Sequence, residues 1–101
     1  MMTIGEIADK VRSKNAGPFW LTIDIFCADD AALLRVAKAL PASRVARLFG
    51  CAEAEVKRFT LPDIHVLKLS VPRPWVQGSL SDRDMHGASF AALVAELPET
   101  G

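Results

Sequence analysis

The stretch Phe19-Trp20-Leu21-Thr22-Ile23-Asp24-Ile25-Phe26-Cys27 decides the fold. Phe19, Leu21, Ile23, Ile25 and Cys27 fall on one side of an extended chain, and Trp20, Thr22, Asp24 and Phe26 on the other. A period of two marks a strand with one buried face, and β-branched and aromatic residues suit a pleated surface. Asp24 needs a cation or donors if its face is covered, because an unpaired buried charge is strongly destabilising. We place Asp24 on the solvated side. Trp20 and Phe26 flank it there, an aromatic pair of the kind that marks an interface.

Downstream, Asp29 or Asp30 is a good N-cap, and Leu33, Leu34, Ala37 and Leu40 recur at helical spacing until Pro41. Ser43 is expected to cap a second helix carrying Val45, Leu48 and Phe49, with Gly50 as its stop. Residues 56–61 and 64–71 read as two strands joined by a tight turn at Pro62-Asp63. In the second of them His65, Leu67, Leu69 and Val71 share a face, which makes His65 a packed or edge histidine. Pro72-Arg73-Pro74 ends the ladder, since proline supplies no N–H. Residues 77–87 form a polar loop. Residues 88–92 suit a helical turn, and residues 93–97 a last strand or further helix.

Upstream, Thr3 and Glu6 have the spacing of a capping box and open a helix with Ile4, Ile7, Ala8 and Val11 on one side. Residues 12–18 then form a loop stopped by Gly17-Pro18. The pattern predicts an α+β fold: a ferredoxin-like split βαβ sandwich, its four-stranded antiparallel sheet covered by helices on one face. We expect one domain over residues 1–101, with a helical arm at 1–11 and a βαββαβ core at 19–97.

Half of the 101 residues are apolar and 24% are charged, a globular balance that excludes disorder. Twelve basic and twelve acidic side chains cancel. That argues against a nucleic-acid partner, whose phosphates are held by clustered Lys and Arg. No apolar stretch approaches the roughly 18 residues that span a bilayer, and residues 1–11 carry Glu6 and Asp9, unlike a signal peptide. The expectation is a cytoplasmic protein without a membrane partner. Cys27 and Cys51 are read as free thiols, since neither lies near a second Cys or His at metal spacing.

Chemistry concentrates in two segments. Arg12, Ser13, Lys14, Asn15 and Gly17 combine two cations, a hydroxyl, an amide and a glycine, donors suited to a carboxylate or phosphate, without the glycine spacing of a phosphate loop. The alternative is a solvated turn. Arg73, Gln77, Ser79, Ser81, Asp82, Arg83, Asp84 and His86 mix the residue types of acid–base work. Asp82, Asp84 and His86 alternate as metal ligands would, but a solvated turn with local capping is the commoner outcome, and we expect no metal and no cofactor. Ala46, Gly50 and Val56 have helix-turn-helix spacing with Arg44, Arg47, Lys57 and Arg58 nearby. Glu53, Glu55 and Pro62 spoil the second helix, so DNA binding ranks last.

The motif Arg12-Ser13-Lys14-Asn15-Ala16-Gly17-Pro18-Phe19 stands out. With Pro72-Arg73-Pro74, Gly78-Ser79, Asp82, Asp84, Gly87 and Ala88, it resembles a bacterial family of small domains of unknown function. Members are encoded beside, or joined to, acyclic terpene utilisation (AtuA-like) proteins. The resemblance runs from Ile4 to Pro98, and the chain is also similar to the ferredoxin-fold domain of AtuA-like proteins. It departs at Ser81, His86 and Ser89-Phe90. The resemblance implies an accessory subunit of a larger AtuA-like partner, acting on an organic acid or its thioester. Arg12, Lys14 and Arg73 would hold the anion, Ser13, Asn15, Gly17 and Ser79 would complete the site, and Asp82 or Asp84 would transfer a proton. The alternative is a self-associating scaffold, a homo-oligomer without chemistry.

Overall fold

Strand β2 (Trp20–Phe26) runs through the middle of the sheet, as its alternation requires. The computed structural model describes residues 2–73 and 90–100. Leu21, Ile23 and Ile25 of β2 register opposite Val71, Leu69 and Leu67 of β4 (Val66–Pro72), and all six are 0% exposed. Each such side chain stabilises the fold by about 1.5–3 kcal/mol on burial. A one-residue slip would turn the whole set outward, so the register is firmly held.

Helices α1 (Ile4–Ile7), α2 (Asp30–Ala39), α3 (Ala42–Phe49) and α4 (Phe90–Ala95) contribute Ile4, Val36, Leu40, Val45, Phe49, Phe90 and Val94 or flanking residues to the same core. The capping box is present: the Glu6 N–H donates to Thr3 Oγ1 at 3.3 Å, and the Thr3 N–H to Glu6 Oε1 at 2.8 Å. Asp29 caps α2 by accepting from the Ala32 N–H at 2.8 Å. Gly50 ends α3 in the left-handed conformation, φ 66°. Ser43 is not the cap of α3. Leu40 closes α2 and Pro41 opens α3 directly, which leaves Ser43 inside the first turn.

The sheet is antiparallel throughout, in the order β1-β2-β4-β3, with β1 at Lys10–Asn15 and β3 at Lys57–Leu61. This is an α+β arrangement compatible with the ferredoxin-like one, reached by a different chain route. The fourth strand is β1, drawn from residues expected to be arm and loop, whereas residues 90–95 form helix α4. An edge strand needs little apolar content, and Val11 is the one large apolar residue of β1. Phe90 and Val94, one helical turn apart, bury themselves instead. The two ends of the chain therefore meet. The Ile4 N–H donates to the Leu97 carbonyl at 2.8 Å, the Glu99 N–H to the Met2 carbonyl at 2.9 Å, and Thr3 bridges to Pro98.

The β3–β4 hairpin closes through a 3-10 turn at Pro62–Ile64, and β4 starts only at Val66. His65 thus leaves the strand face assigned to it and reverses the chain with φ 54°. Its Nε2 lies 3.1 Å from Asp30 Oδ1.

The opposite face of the sheet carries the outward residues in three registered rows: Arg12, Asp24, Lys68, Phe59; Lys14, Thr22, Ser70, Lys57; and Lys10, Phe26, Val66, Leu61. Asp24 lies on this side, as expected, with Arg12 and Lys68 as its cross-strand neighbours.

Candidate functional site

Because residues 12–15 are strand, their side chains alternate. Arg12 and Lys14 register opposite Asp24 and Thr22 on the outer face, while Ser13 and Asn15 register opposite Ile23 and Leu21 on the helix side. One polar cluster in sequence becomes two in space. Ser13 is buried, and its Oγ accepts from the Ala91 N–H of α4 at 2.8 Å. Asn15 accepts through Oδ1 from Nη1 of Arg73. Arg73 is 7% exposed, with its guanidinium 5.5 Å from the centroid of the Phe90 ring, and its backbone N–H donates to the Phe19 carbonyl at 2.8 Å. Sequence motifs 58 residues apart are thus joined at one corner, where the β1–β2 hairpin meets the end of β4. Gly17 sits in that hairpin turn with φ 85°, a backbone conformation that by itself accounts for a glycine.

Along β1 runs a cleft of about 540 Å³ lined by Val11, Arg12, Ser13, Lys14, Asp24, Phe26 and Ala91. Its size falls in the usual range for small-molecule sites. Arg12 and Lys14 supply positive charge, while Val11 and the Phe26 ring supply apolar wall. Asp24 limits the net charge of the walls and disfavours a multiply charged anion deep inside. The arrangement suits one carboxylate attached to a hydrocarbon or acyl body. Arg73 is not among the lining residues, and its described contacts hold Asn15 and α4 in place.

Cys27 is buried, Cys51 is half-buried, and both are free thiols. Burial pushes the Cys27 thiol above its ordinary value, with Asp9 and Asp29 adding to the shift; Cys51 is raised by burial and then by Glu55. Both remain protonated at neutral pH, which suits packing and not nucleophilic attack. Among the described residues no group of His, Cys, Asp and Glu could hold a metal ion. Ser79, Asp82 and Asp84, with Gln77, Gly78, Ser81, Arg83 and His86, lie outside the described residues.

The helix-turn-helix spacing dissolves in the structure. Glu53–Glu55 is a single 3-10 turn, and Lys57 and Arg58 belong to β3. Arg44 is buried: its Nη1 donates to the carbonyls of Ala39 (2.9 Å) and Glu99 (3.3 Å), and its Nη2 to that of Pro98 (2.6 Å). This grip on the C-terminal tail has no local sequence signal. Phe90 against Arg73 was also illegible, although an arginine set between two prolines at a strand end pointed to the position.

Fold and site together define a small α+β domain with a four-stranded antiparallel sheet and a cationic cleft on its edge strand. Residues 4–97 match the family model described as a domain of unknown function (DUF4387), and the chain belongs to that family. No curated protein and no solved structure matches it. No helix among the described residues is long and apolar enough to cross a membrane.

Proposed function

We propose that the chain is a small accessory subunit that binds an organic acid, as a carboxylate or thioester, for a larger AtuA-like partner. The observation that supports this best is the cleft on β1, a volume of about 540 Å³ whose lining includes Arg12, Ser13, Lys14 and Phe26. Arg12 and Lys14 hold the charged end through charge-assisted hydrogen bonds, and Phe26 and Val11 receive the hydrocarbon. Arg73 and Asn15 act as positioning residues that fix the end of β1. Asp82 or Asp84 would be the proton-transfer group on the family resemblance alone, and Ser79 an orienting one. The partner completes the reaction site.

The test is calorimetric titration of the full chain with hexanoate and with a branched-chain carboxylate. Arg12→Ala and Lys14→Ala should each weaken binding about tenfold, the order of one charge-assisted contact, with the melting temperature nearly unchanged. Equal affinity for both variants and the wild type, or melting lost in parallel with binding, would show that these cations do not form the site.

A further inference from the structure

We infer that the outer face of the sheet is the docking surface for a folded partner protein with an acidic surface. Among the described residues, the strands project Lys10, Arg12, Lys14, Lys57 and Lys68 from it against the single carboxylate Asp24, an excess of four positive charges (five less one). The whole chain has a formal charge of zero. Charge is therefore segregated among the described residues: of their ten acidic side chains, Asp24 alone belongs to the four strands. Among the described residues no helix covers it, since the helices share the core on the other side. Phe59, opposite Lys68, is 50% exposed and Leu61, opposite Val66, is 38% exposed, and at the β3 margin they offer apolar anchors. An exposed phenylalanine within a charged surround matches the apolar core and polar rim of a protein interface.

The occupant must be anionic. A second copy of this chain laid face to face would oppose five cations with five, so a symmetric sheet-to-sheet dimer is disfavoured. Single-stranded nucleic acid needs adjacent, open rings on which successive bases stack. Here Trp20 and Phe26 lie at opposite ends of β2, about 20 Å apart at the usual rise per residue. Lys57 Nζ stands 5.3 Å from the Trp20 ring centroid, and the central strand β4 offers no aromatic residue. An acidic protein surface satisfies both the charge and the scattered apolar anchors. The inference rests on the accessory-subunit reading for the existence of a partner. Carboxylate binding is measured without a partner, so the two can fail separately.

The full chain is produced in its native cells with p-benzoylphenylalanine in place of Phe59, irradiated, and its adducts analysed by mass spectrometry. The expected result is one protein adduct whose cross-linked peptide is rich in Asp and Glu. Its yield should fall at least tenfold with Lys68→Glu and stay constant with Lys38→Glu, the same charge change on exposed α2. Lys57→Glu replaces Lys68→Glu if circular dichroism shows that variant unfolded. Absence of an adduct, an adduct digested by nuclease, an adduct of twice the chain's mass, or a yield indifferent to the sheet-face reversals would each overturn the inference.

Discussion

Replacing Arg44 by methionine keeps the aliphatic stem and removes a guanidinium that three carbonyls share. The bond to the Ala39 carbonyl is buried, so its loss leaves an acceptor without water, and hydrogen bonds to charged groups contribute about 1.5–3 kcal/mol each. The Pro98 and Glu99 carbonyls are part-buried, and water can replace much of what they lose. The expected destabilisation is therefore about 2–4 kcal/mol, well short of three full bonds. For a domain of this size that corresponds to a fall in Tm of about 10–20 °C. Urea unfolding should show the midpoint shifting at constant slope. Hydrogen exchange should quicken first at the Ile4 and Glu99 amides, which the tail holds at 2.8 and 2.9 Å. Arg44→Lys should fall between the two, since an ammonium cannot span all three carbonyls in the same fork. A change below about 0.5 kcal/mol, the scale of an ordinary surface substitution, would refute the idea that Arg44 anchors the tail.

Ser13→Ala removes the acceptor of the Ala91 N–H and should cost about 1 kcal/mol in chemical denaturation, with α4 amides exchanging faster than those of β2. Gly50→Ala meets no atom within 4 Å, so its penalty is that of the left-handed backbone alone, about 1 kcal/mol in Tm-derived stability. The Arg35 guanidinium, bound to Glu99 at 2.7 and 3.0 Å, holds the Glu99 carboxyl below the ordinary glutamate range. A lowered folded-state value gives stability that is present above the unfolded glutamate pKa and lost as pH falls through the folded one. Protection of the Glu99 amide should drop across that acidic window in the wild type and show no such step in Glu99→Gln.

What the sequence revealed follows the strength of each local signal. Alternation over β2, the Thr3–Glu6 box, the Asp29 cap and the Gly50 stop are short-range features, and all four are where local chemistry puts them. β1 was hidden because an edge strand beside solvent is tolerated with Lys10, Arg12 and Lys14 on its wet side, a pattern that reads equally as loop. Its true signal was the alternation of those cations with Val11, Ser13 and Asn15. The tail then had to be helix, because β1 already occupied the position beside β2. His65 was misplaced because Pro62 opens a three-residue turn and pushes the start of β4 forward. In the candidate site, two polar segments are expected side by side; Arg73 of the second meets Asn15 of the first and the rest of the second lies outside the described residues, while the split of residues 12–15 between two faces follows only once they are strand.

The most direct test of ligand binding on β1 is a two-dimensional amide NMR titration of the isotopically labelled chain with hexanoate. Saturable shifts at Arg12, Ser13, Lys14, Phe26 and Ala91, with β3 amides unmoved, are the predicted result. No saturable shift in that set, or a larger one centred on the far edge at Lys57–Leu61, would contradict it.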